Sequence, residues 1–403
     1  MIARIAVPPS LERRLPSGLT VVAVQRNSVS LVEIRVSIPF ARTPPAETLL
    51  LAQTLLVRAG RDWAVSADAD FLRISGHALA EDLPVFLKDL ADGLIGYSAD
   101  EFMSVRSRVV AGSRIEKAQP VVLALDALNT RLYGQHPYGL PLPSPEQFAA
   151  VSADALRVLH TERVRPSGAT LVLTGDLDPA VAVEIAGEAL AGWQGEAPDV
   201  DLRPVPEPRP GPVELVDGRG PSTLIRIALP GCPPRTDVDY PALVVANLVF
   251  GGYFCARLTE NLRERKKLCY GPGSALVSAR CVGLVLVSVD VTTEFAGAAV
   301  REIDRELASL SDLGAEELDR ARQYARGRLR MRASTQSGLA DLVADLAAHS
   351  LRLDWLAGYD ERLASISLGA VCDAAARYFR PERSVGVVFG DVAKVSKQLG
   401  ERQ

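Results

Sequence analysis

The chain has 403 residues with 48% hydrophobic content, enough for two or more ordinary cores rather than one. Its 45 basic and 49 acidic residues leave a net charge of −4, and the basic ones are scattered, so no field gathers nucleic acid or an anionic membrane surface. The stretch Met1 to Pro9 lacks the apolar run of a signal peptide and no segment reaches the roughly 20 apolar residues of a membrane span, which predicts a cytoplasmic protein.

In chain order, Ser30 to Pro39 alternates apolar and polar residues as a half-buried strand does, and an Ala/Leu-rich helical run follows from Glu47 to Val57. The first half closes with Arg165-Pro166 leading into a short apolar strand, Ala169 to Thr174, that stops at Gly175-Asp176. Asp199 to Pro212 is rich in proline, which serves neither a central strand nor a helix, and reads as a linker. The pattern then repeats. Ser222 to Pro230 precedes the helical run Tyr240 to Phe250, and Arg380-Pro381 leads to a strand from Ser384 to Phe389 that stops at Gly390-Asp391. Between them, Val285, Val287, Val289 and Val291 fall on one face of a strand from Val282 to Val291, and helical runs span Ala296 to Leu310, Glu316 to Ala333 and Leu339 to Leu351. The predicted architecture is α+β: two tandem homologous domains, 1–198 and 213–403, each an antiparallel-rich sheet under helices, joined by 199–212.

Five cysteines (Cys232, Cys255, Cys269, Cys281 and Cys372), odd in number and without a CxxC pair, indicate neither a disulfide framework nor a thiolate zinc site. The four histidines do not pair at metal-ligand spacing: His77 lies in a strand-like run, His136 in a turn, His160 near a helix end and His349 in an Ala-rich helix. Tyr133 and Tyr138 read as core or turn residues, and the pairs Asp62 with Asp68 and Glu316 with Glu317 as surface or helix-end carboxylates. No Ser-His-Asp or Cys-His arrangement is recognisable.

The order, the duplication and the linker, together with Gly251-Gly252, Arg257-Leu258, Leu262-Arg263 and Leu268-Cys269-Tyr270, resemble the inverzincin metallopeptidases, the family of pitrilysin, insulin-degrading enzyme and mitochondrial processing peptidase. The resemblance implies an H-x-x-E-H motif on the first helix, with two imidazoles one turn apart, a third acidic ligand and a glutamate base. Aligned on Leu55 to Gly60, the histidine positions are held by Leu50 and Thr54, the base by Gln53, and the third ligand by Ala111 or Gly112. All four functions are missing, and no histidine lies between Met1 and Gly76.

The second domain of the family carries an arginine and a tyrosine seven positions apart, matched here by Arg263 and Tyr270. Seven residues are close to two helical turns, so both side chains are expected on one side of a helix, from Phe254 to Lys267, that Gly271-Pro272-Gly273 ends. Arg263 would offer a donor fork to a substrate carbonyl or carboxylate, and Tyr270 a hydroxyl to the oxyanion, with Gly251 and Gly252 beside them in substrate binding. The resemblance thus implies a bacterial, zinc-free, non-catalytic subunit. Its expected partner is a homologous chain bearing H-x-x-E-H and zinc, closing on a peptide substrate as a clamshell, with no nucleic acid and no membrane involved. An inert structural or peptide-binding scaffold is the alternative.

Overall fold

A computed structural model describes residues 6–40, 45–59, 63–68, 70–98, 100–196, 204–218 and 220–400. Asp62 and the first part of the expected linker, 199–203, lie outside these, whereas 204–212 takes no helix or strand. Eleven strands are defined among the described residues, in two sheets. Six belong to the first: β1 (Ser10–Arg14), β2 (Thr20–Gln25), β3 (Leu31–Pro39), β4 (Trp63–Ala67), β5 (Phe71–Leu79) and β6 (Thr170–Gly175), in the order β1-β2-β6-β3-β5-β4. The second holds β7 (Glu214–Asp217), β8 (Ser222–Pro230), β9 (Gly273–Ser278), β10 (Gly283–Thr292) and β11 (Val385–Gly390), in the order β7-β11-β8-β10-β9.

The duplication is visible in the registers. Each sheet contains one parallel pair, β2 with β6 and β7 with β11, and is otherwise antiparallel. Arg35 on β3 stands between Ser75 on β5 and Val172 on β6, and Arg226 on β8 stands between Ser288 on β10 and Val387 on β11. Both central strands end at a proline, and both Gly-Asp steps end the strand beside them. Both glycines sit tight against the neighbouring strand: a Cβ on Gly175 (φ 159°) would lie 2.1 Å from Leu31 O, and one on Gly390 would lie 2.5 Å from the Thr223 side-chain Oγ1.

The described residues form two compact units, and neither is contiguous in sequence. One draws on Met1–Ile115, Pro143–Leu202 and Leu329–Ala357, the other on Glu116–Leu142, Arg203–Arg328 and Gly358–Gln403. Each sequence half therefore lends a helix to the other unit. The helix Pro120–Tyr133 packs Leu128 and Leu132 against Ala228, Val385 and Val387 of the second sheet. The helix Gln336–Ala348 packs on β3 and β6 of the first, where Arg35 Nε donates to Asp341 Oδ1 (2.7 Å) and Gln336 Nε2 to Leu31 O (2.7 Å).

The first core is built from β3, β5 and β6 with helix Pro45–Ala59, whose Leu50, Leu51 and Leu55 are buried. In the second, Val285, Val287, Val289 and Val291 face inward as their alternation predicts, beneath helix Ala296–Ser309. No helix among the described residues is long and apolar enough to cross a membrane.

Candidate functional site

The positions aligned with the zinc motif lie on helix Pro45–Ala59. Leu50 and Thr54, one turn apart, share a face. That face is closed: Leu50 sits in the core with no exposed surface, and the buried Thr54 hydroxyl donates to Leu50 O at 2.8 Å. Gln53 is half-buried. Ala111 and Gly112, on helix Phe102–Lys117, are exposed, and a Cβ added at Gly112 meets nothing within 4 Å. These side chains offer neither imidazole nor carboxylate, and they do not fit zinc. Among the described residues no three of His, Cys, Asp and Glu are grouped to hold a metal ion.

The histidines occupy other settings. His77 is exposed on β5, and buried His136 accepts the Tyr138 N–H at Nδ1 (3.2 Å). His160 is buried with its ring 5.6 Å from that of Tyr97, and Nδ1 of His349 lies 2.8 Å from Asp345 O where a helix ends.

Arg263 and Tyr270 do come together, although not by helical spacing. Helix Tyr240–Asn247 widens into a π-helical turn, Leu248–Gly252; after an irregular turn the chain forms a second one, Thr259–Arg265, seated by buried Leu258 and Leu262. The expected continuous helix from Phe254 to Lys267 is therefore replaced by an irregular turn and one wide π-helical turn, a form frequent at functional sites. Lys267 then takes a left-handed conformation (φ 54°), Leu268 N–H donates back to Leu262 O (2.8 Å), and Cys269 bridges Val291 on β10. This reversal delivers Tyr270 with 83% of its surface exposed. The Arg263 Cζ lies 4.8 Å from the centre of the Tyr270 ring and 5.1 Å from that of Phe254, while its Nε faces Glu264 at 3.2 Å. Gly271 and Pro272 lead into β9 instead of ending a helix.

Carboxylates far away in sequence hold this loop. Buried Glu302, on helix Ala296–Ser309, accepts from Asn261 Nδ2 (3.0 Å) and Lys266 Nζ (2.8 Å), one on either side of Arg263, and from Arg305 Nη1 (2.7 Å). Burial opposes ionisation of Glu302, but the hydrogen bonds from Lys266 and Asn261 and the charge of Arg305 outweigh it and hold the carboxyl below its ordinary pKa. Glu317 is a second anchor rather than the surface carboxylate its sequence suggests: Arg257 forks onto both its oxygens (2.7 and 2.8 Å), which lowers its pKa, and it also accepts the Gly314 N–H. Gly251 and Gly252 have a packing reason to lack side chains. A Cβ on Gly251 would lie 2.8 Å from both Leu258 Cδ1 and Ser274 Oγ, and one on Gly252 would lie 2.7 Å from Asn247 Nδ2. Phe254, Glu302 and Glu317 escape sequence reasoning because no spacing rule ties them to Arg263. Only the Arg257-Leu258 step of the resemblance marked Arg257.

Residues 150–324, which include Gly251 to Tyr270 and exclude Leu50 to Thr54, match the family model described as Peptidase M16 inactive domain. Through this segment, less than half of its length, the chain is similar to the M16 peptidase family. An uncharacterized zinc protease of Mycobacterium tuberculosis is 25% identical over 243 residues, covering 59% of this chain and 55% of that protein. A Bacillus subtilis protein named "Probable inactive metalloprotease YmfF" is 28% identical over 130 residues, 31% of this chain and 30% of its own. The matches thus span about half or less of the length of these relatives. The M16 inactive domain from Pseudomonas fluorescens has the same fold, with a TM-score of 0.85 at 20% identity over 95% of this chain and 98% of that one.

Proposed function

We propose that this M16-type chain is the non-catalytic subunit of a two-chain zinc peptidase, lending Arg263 and Tyr270 to the active site of a homologous partner that carries H-x-x-E-H and its zinc. The observation that carries this reading is the placement of the pair. Arg263 and Tyr270 lie together on an exposed loop, and among the described residues neither the Nη groups of Arg263 nor the Tyr270 hydroxyl makes a hydrogen bond. A buried carboxylate braces the loop from both sides. In a peptide complex, Arg263 would hold a substrate carbonyl or carboxylate and Tyr270 would donate to the developing oxyanion. The closed face around Leu50 and Thr54 supports assigning hydrolysis to the partner.

The test is reconstitution with a homologous chain that carries H-x-x-E-H and zinc. Tyr270→Phe is expected to lower turnover on the order of 10²-fold to 10³-fold, as losing one oxyanion donor does. Arg263→Ala is expected also to raise KM, because its contact to the peptide precedes the transition state. The two effects combine less than additively, and subunit association is unchanged. Full activity with both substitutions would leave the scaffold reading, which the satisfaction of Arg263 by two rings and Glu264 within its own chain favours.

A further inference from the structure

We infer that Phe254 is a positioning residue for Arg263, a third member of the site that the Arg/Tyr spacing does not reveal; this rests on the reading of Arg263 as a peptide-binding group. Phe254 is a large apolar side chain with 68% of its surface in water. Its ring meets the Arg263 guanidinium at 5.1 Å, and the Tyr270 ring meets the same guanidinium at 4.8 Å. An arginine on a flexible stem loses rotamer freedom when it captures a ligand, and that loss opposes binding. A ring face attracts the charge of the cation without using its N–H donors. Two rings can therefore fix the guanidinium in advance and leave its Nη groups for a carbonyl or carboxylate.

Phe254 is itself held by its neighbours. The turn that carries it closes with the Ala256 N–H donating to Tyr253 O (3.1 Å), and the Tyr253 ring packs 5.0 Å from that of Tyr324. On its other side Arg257 is locked to Glu317 and to Ser309 O (2.9 Å). Position thus passes from Glu317 and Arg257, through the turn, to the Phe254 ring and the Arg263 guanidinium. An exposed leucine or valine at 254 could cover similar area but would lack the quadrupole that holds a cation.

The experiment reads the Arg263 side chain directly in the full chain. Its Nε–Hε and Cδ proton resonances should show upfield ring-current shifts in the wild type, smaller shifts in Phe254→Leu and restored shifts in Phe254→Trp, with both variants folded and unfolding cooperatively. In the reconstituted peptidase Phe254→Leu should raise KM about 2-fold to 5-fold, the size of one exposed cation–π contact, and Phe254→Trp should bring it back. Unchanged Arg263 resonances in Phe254→Leu, or a KM rise that tryptophan does not rescue, would overturn the proposal. Should Arg263→Ala leave the kinetics of the reconstituted enzyme untouched while Phe254→Leu still moves the Arg263 resonances, the peptidase reading falls and the positioning role stands.

Discussion

The helix Pro45–Ala59 and the loop from Thr259 to Tyr270, the two segments singled out by the resemblance, are built in opposite ways. On the helix, the positions aligned with the zinc motif are part of the core: Leu50 is fully buried, and the Thr54 hydroxyl is spent on the carbonyl one turn back. On the loop, polar and aromatic groups face water and are fixed by ion pairs. A face that holds no polar ligand has no reason to keep a cavity, and a well-packed apolar face is the stable solution. Nothing comparable has filled the space around Tyr270, 83% of which remains exposed.

The largest expected effect would break that contrast by reopening the closed face. The triple variant Leu50→His, Gln53→Glu, Thr54→His restores the motif in sequence, but it places two imidazoles where apolar contacts now lie. It should cost at least the range of about 2–5 kcal/mol seen for truncating a buried leucine, because polar atoms are buried as well. Denaturant unfolding measures this, and elemental analysis should find no stoichiometric zinc in either the wild type or the variant. A variant of wild-type stability carrying one zinc per chain would show that the face is not closed.

Next in size is the brace under the loop. Glu302→Gln removes a buried charge that Lys266 and Arg305 both contact, at an expected cost of about 1–3 kcal/mol. The pH dependence carries a definite sign. A carboxyl whose native pKa is depressed contributes stability that is fully present above its unfolded pKa and is lost as pH falls through the native value. Glu302→Gln should therefore narrow the gap to wild type on the acid side of the ordinary carboxylate range and keep its full deficit at neutral pH. A deficit constant from neutral to acid pH would show that Glu302 is not held ionised by these partners. Arg257→Lys, which loses the two-pronged fit to Glu317, should cost less, about 0.5–1.5 kcal/mol by the same unfolding assay.

These partners also mark the limit of what sequence reveals. The alternation of Val285, Val287, Val289 and Val291 specifies a strand and its buried face, because a period of two admits few other structures. The repeat of an arginine-bearing strand ending in proline, and of strands ending at Gly-Asp, makes the duplication legible. The destination of helices Pro120–Tyr133 and Gln336–Ala348 is not, since an apolar stripe states that a helix is buried and not on which sheet. Likewise the motif residues Arg263 and Tyr270 could be named while their route together could not. Lysine rarely adopts the left-handed conformation seen at Lys267, and no residue in the segment announces a π-helical turn. Glu302 lies 41 positions from Asn261 and Glu317 lies 60 from Arg257, and charge at those positions reads equally well as a solvated helix face.

The smallest expected effect sharpens the contrast most. Tyr270→Phe removes a hydroxyl that makes no hydrogen bond among the described residues, from a side chain that is mostly in water, while keeping the ring over Arg263. Its effect on unfolding free energy should stay within about 0.5 kcal/mol, the range of surface changes that disturb no anchor. Tyr270→Ala, which also removes the ring, should cost no more than about 1 kcal/mol, the size of one exposed cation–π contact. Thr54→Val is the matched control on the closed face: it too deletes one hydroxyl, but a buried one whose bond is to the helix itself. If Tyr270→Phe destabilises the chain more than Thr54→Val does, the hydroxyl serves the fold, and its exposure is no sign of a site kept for a ligand. If it leaves stability untouched, the chain gains nothing from that hydroxyl on its own, and whatever it does is done for something bound from outside.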